Sequence, residues 1–118
     1  MILTHGNQKL GRNNKTEVNM ETVFTLNAGR HSADETKPII EEALKREKSF
    51  AHTRFIRFDK ECGQFEIRYR MDSEQFLTKF ESGELGDDAE WFDWYAAVRG
   101  KKIWETKYNI LEDISWNR

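Results

Sequence analysis

The sequence predicts a mainly α-helical fold. A long helix, a short capped helix and a C-terminal helix pack as an elongated helical hairpin or bundle, behind a flexible N-terminal arm with room for one short strand. Three observations lead there. Leu44, Ala51, Phe55, Phe58, Cys62, Phe65 and Tyr69 follow a spacing of seven, four, three, four, three and four, with only Lys48 breaking the heptad-like stripe. Two polar cap signals, at Asp72 and Asp87, each precede an aromatic-rich run. A single Pro, together with many Glu, Lys, Arg and Leu, favours helix over sheet.

The bulk properties bound the function. One domain fits 118 residues. Charged residues at 34% give a strongly solvated surface, yet 13% aromatics exclude a disordered chain. A net charge of -2 argues against non-specific affinity for nucleic acid or anionic membrane. Cys62 is the only cysteine, which rules out an internal disulfide and fits a reducing, cytoplasmic setting. No apolar run is long enough to span a membrane.

Taken in order, residues 1–37 form the arm and 38–118 the helical domain. Residues 1–20 are polar and without period, which reads as a flexible leader, a tag or an upstream start ahead of Met20. Glu21–Asn27 alternates weakly and suits one short strand. Asp34 or Thr36 can cap the next helix, and Pro38 is tolerated in a first turn.

From Ile39 to Tyr69 two readings compete. Phe65–Met71 alternates as a strand would, and Asp59–Gln64 could turn a β-hairpin. The heptad-like stripe over the same residues favours one long helix, with Gly63 as its weak point. Asp72 and Gln75 then form a capping-box pair, and Gly83 suits the left-handed residue that ends the short helix. Asp87 and Glu90 repeat the cap signal for a last helix running to about Ile114. Trp91, Trp94, Val98, Trp104 and Tyr108 make one face of it. Phe92, Ala96, Ile103 and Ile110 make a neighbouring face, and Gly100 marks a bend or a close helix contact.

No chemistry can be read from the chain. His5, His31 and His52 lack partners at metal-ligand spacing, and nothing implies a cofactor or a metal. Asp59 and Glu61 beside Cys62 would raise its thiol pKa, so a core residue is expected there and not a nucleophile. The chain therefore does not read as an enzyme.

Charge is unevenly placed. Residues 72–98 carry one basic and eight acidic side chains, while 38–71 carry eight basic and six acidic. The macrodipole accounts for acids near helix N-termini. It leaves Glu84, Asp88 and Asp93 beside the tryptophans without a structural reason. Arg54, Arg57, Arg68 and Arg70 near Phe and Tyr supply an alternative, nucleic-acid-binding reading, weakened by the interleaved acids.

The run Phe65-Glu66-x-Arg68-Tyr69-x-Met71-x-Ser73-Glu74-x-Phe76, then Phe80-Glu81-x-Gly83-Glu84-Leu85-Gly86-Asp87-Asp88, then Trp91-Phe92-x-Trp94, resembles a family of small archaeal and bacterial antitoxin-like proteins. Their pattern is FExxYGMxxxEFxxxFxxGELGDDxxxxxW, and the likeness covers residues 38–116. It implies the same three helices and a protein–protein interaction module that neutralises a small toxin encoded nearby. Glu84, Asp87, Asp88, Trp91, Asp93, Trp94 and Trp104 would then meet the partner. Arg70 departs from the pattern, standing where the family has a Gly that would end the long helix in a left-handed turn. A self-associating helical scaffold, with the aromatic stripe as a homo-oligomer seam, is the other alternative.

Overall fold

The structure, a computed structural model, describes residues 2–10 and 18–117. The elements run β1 (Ile2–Leu10), β2 (Val18–Thr25), α1 (Ala33–Tyr69), α2 (Ser73–Glu81), α3 (Ala89–Glu112) and β3 (Ile114–Asn117). The fold is mainly helical, with helices of 37, 9 and 24 residues, as the stripe and the caps predict. The chain divides into two compact units: Met1–Lys48 with Asn109–Arg118, and Ser49–Tyr108. The expected boundary at residue 37/38 falls inside α1.

The first unit holds more β-structure than the sequence suggests. An antiparallel sheet of order β2-β1-β3 pairs Leu3 with Phe24 on one side and with Trp116 on the other. The expected strand within 21–27 is the second half of β2. Neither β1 nor β3 was foreseen. Thr4–Lys9 lacks hydrophobic alternation, so its pairing rests on backbone hydrogen bonds that leave no periodic trace in sequence. Ile114 continues the apolar spacing of α3 and so read as helix. In fact the helix closes at Glu112, where the Asp113 N–H still donates to Asn109 O at 3.2 Å.

Ser32, and not Asp34 or Thr36, caps α1. Its Oγ accepts from the Glu35 N–H at 3.1 Å, and its carbonyl accepts from the Thr36 hydroxyl at 2.9 Å. Lys48 bridges to Glu112 at 3.1 Å and Lys37 lies 5.6 Å from the Trp116 ring.

The second unit is the helical hairpin. The Ala51–Tyr69 stripe lies wholly on the packed side of α1, and the β-hairpin reading is overturned. Ala51, Cys62, Phe76, Trp94 and Ala97 are its buried core. Trp94 is sandwiched there: Phe76 stacks on it at 4.0 Å, and Phe65 stacks at 5.5 Å. Gly100 marks a close helix contact, because a Cβ there would stand 2.7 Å from the Phe58 ring.

The joints around α2 follow the sequence closely. Arg70 takes φ 55, the left-handed conformation a Gly would adopt more easily. The capping box is complete: the Gln75 N–H donates to Asp72 Oδ1 at 2.8 Å, and the Asp72 N–H donates to Gln75 Oε1 at 3.0 Å. At the other end Glu84 N–H bonds Lys79 O and Gly83 N–H bonds Phe80 O, with Gly83 at φ 81. That pair of bonds is a Schellman motif, and it needs the positive φ.

Candidate protein-interaction surface

The cap expected from Asp87 and Glu90 does not form. α3 begins at Ala89, so the half-in residue is Asp88, whose carbonyl accepts from the Trp91 N–H at 3.1 Å. Glu90 turns back to α1 instead, accepting hydrogen bonds from Tyr69 Oη and from Arg68. The hydrogen bond that the Tyr69 phenol donates to that carboxylate holds its proton and pushes its pKa above the ordinary value, with desolvation and the negative charge of Glu90 adding to it. Among the described residues, the side chains of Glu84, Asp87, Asp88 and Asp93 form neither a salt bridge nor a hydrogen bond. All four are exposed. The acidic surplus is therefore larger than capping arguments allowed.

The three tryptophans of the expected partner site separate. Trp94 is fully buried, its Nε1 donating to Ser73 Oγ at 3.1 Å, so it is a core residue and not a surface anchor. Trp91 is half-buried against Tyr69 at 4.6 Å, with its Nε1 buried and unpaired among the described residues. Trp104 is half-buried edge-on to Phe50 at 5.6 Å. It sits sixteen residues along the helix from Asp88, about 24 Å at 1.5 Å per residue, so it does not share a patch with the acidic turn.

A groove of about 350 Å³ that no sequence pattern announces lies between α1 and α3. Phe58, Phe65, Ala96 and Ala97 give it apolar walls, while Glu61, Gln64, Arg68 and Asp93 bring polar groups to it. Its signal in the sequence is divided: the Phe residues belong to the core stripe of α1, and Ala96 to the neighbouring face of the last helix. Phe92 and Ile103 on that neighbouring face are 51% and 56% exposed, too open for core residues.

The four arginines do not form one bare basic patch. Arg57 pairs with Glu61 at 3.5 Å and Arg68 with Glu90. Arg54 lies over the Phe50 ring at 4.6 Å, and Arg70 serves the turn after α1. Burial pushes the Cys62 thiol up, against the opposing effect of Lys101. The hydrogen bond to Asp59, at 2.9 Å, pushes Lys101 up. Among the described residues no group of three or more His, Cys, Asp or Glu could hold a metal ion, and no helix is long and apolar enough to cross a membrane.

No family model, curated protein or solved structure matches this chain.

Proposed function

We propose that the chain is a protein-interaction module, the antitoxin-like partner that neutralises a small basic toxin. The observation that carries this reading is the set of four exposed, unpaired carboxylates, Glu84, Asp87, Asp88 and Asp93, at the α2–α3 junction of the packed hairpin. Acids with no partner of their own, three in the turn between two packed helices and one early in α3, present a negative field that steers and orients a basic partner. Exposed Phe92 and half-buried Trp91 adjoin them in sequence and supply apolar area. The resemblance of residues 38–116 to antitoxin-like proteins points the same way.

The alternatives have less support. The homo-oligomer seam is consumed within the second unit, where it forms the hairpin core. A nucleic-acid regulator would need Arg57 and Arg68 to leave their carboxylates.

Co-expression with the product of the adjacent open reading frame tests the proposal. A complex that survives purification, and relief of that product's toxicity, are expected. Reversing Glu84, Asp87 and Asp88 to Lys should abolish both while leaving the helical signal unchanged. No complex and no relief would reject the reading.

A further inference from the structure

The groove between α1 and α3 is small and fixed in shape. At about 350 Å³ it stands at the low end of ligand pockets, with room for one side chain and none for a helix. Phe58 and Phe65 are half-buried walls, Ala97 is buried, and exposed Ala96 contributes only a methyl group. Phe65 is held by its stack on Trp94 at 5.5 Å, and Phe58 by its close approach to Gly100. The polar groups that reach the groove differ in their bonding. Glu61 pairs with Arg57 at 3.5 Å, and Arg68 pairs with Glu90. Asp93 and Gln64 make no hydrogen bond or ion pair among the described residues. An unmatched carboxylate and an unmatched amide therefore stand beside an apolar trough. A ligand that answers both carries positive charge, N–H donors and an apolar stem. An anion would meet the Asp93 charge instead.

We propose that this groove receives an arginine side chain of a protein partner. That occupant rests on the basic partner proposed above, and the groove adds the place where one of its cations docks. The aliphatic stem of an arginine buries against Phe58, Phe65 and Ala96. Its planar guanidinium fork offers donors to the Asp93 carboxylate and the Gln64 carbonyl together. The walls already suit such a group: Arg57 lies 5.6 Å from the Phe58 ring and Arg68 6.0 Å from the Phe65 ring. Asp93 belongs to both features, since it is one of the four unpaired acids of the α2–α3 junction and also lines the groove.

Amide NMR of the full-length protein, titrated with the peptide acetyl-Gly-Arg-Gly-amide, reads the groove without any partner protein. Saturable shifts are expected at the Gln64, Ala96 and Ala97 amides. The citrulline peptide, which keeps the shape and loses the charge, should leave them unmoved. Ala96→Leu fills the groove from an exposed position and should abolish the shifts, with helical circular dichroism unchanged. Asp93→Asn should weaken binding about threefold or more. No shifts at these amides, equal shifts with the citrulline peptide, or unchanged binding by Ala96→Leu would each overturn the proposal. The two failures are separable. An arginine peptide that binds here beside an adjacent gene product that does not would reject the toxin partner and leave the arginine site standing. A product that binds wild type and Ala96→Leu equally would reject the groove and leave the partner standing.

Discussion

Single residues decide how the long helix ends. Arg70 holds φ 55, a conformation that costs an L-residue on the order of 1–2 kcal/mol, because Cβ crowds the following carbonyl. Its side chain makes no salt bridge among the described residues to offset that. Arg70→Gly should therefore stabilise the protein by roughly 0.5–1 kcal/mol, after allowing for the greater chain entropy of Gly in the unfolded state. A urea unfolding midpoint that falls in the variant would contradict this. Trp94 is the opposite case. It is fully buried among stacked rings, and Trp94→Ala should cost about 3–5 kcal/mol, seen as loss of the cooperative unfolding transition or a large drop in its midpoint.

The elements show what sequence can and cannot reveal. α1 and α2 were legible because their signals are local: a stripe every three or four residues, an Asp-to-Gln capping box, a Gly at the stop. Asp87 and Glu90 show where local signals mislead. They satisfy the spacing of a cap, but Tyr69 and Arg68 compete for Glu90 from a helix more than twenty residues away. The sheet was hidden for a related reason. β1 and β3 meet only through pairing across nearly the whole chain; β1 carries no sustained alternation, and the alternation of β3 spans only four residues directly after a helix. Of the candidate site, the acids were visible as a surplus and the groove was not, because it exists only once α1 and α3 are placed side by side.

Two glycines test the helix packing against each other. At Gly100 a methyl group would collide with the Phe58 ring, while at Gly63 nothing lies within 4 Å. Both substitutions to Ala gain about 1 kcal/mol of helix propensity. Gly63→Ala should therefore stabilise the protein. Gly100→Ala should be neutral or destabilising, since overpacking costs about 1–3 kcal/mol. Thermal unfolding of the two variants side by side settles the matter; equal stabilisation would mean the helices are not in close contact at Gly100.

For the molecule as a whole, the shifted groups among the described residues all act in one direction. Cys62, Tyr69 and Lys101 are each raised, from ordinary values of 9.0, 10.0 and 10.5. The folded state therefore holds these protons more tightly than the unfolded state does. Below pH 9.0 both states keep them and the contribution is intact. As pH rises through each unfolded value toward the folded one, the unfolded chain releases its proton first and stability is lost. The urea midpoint should be flat up to about pH 9.0 and fall above it, with the earliest part of the fall reduced in Cys62→Ala. A midpoint that rises with alkali would contradict these assignments.

The proposed function rests on the acids that the fold leaves unpaired. The most direct measurement is a binding titration of purified wild-type protein, and of the Glu84/Asp87/Asp88→Lys variant, against the product of the adjacent reading frame. Wild type should bind saturably, more weakly as salt rises, and the variant should lose at least tenfold (about 1.4 kcal/mol) in affinity. Equal binding by the two proteins, or none by wild type, would contradict it.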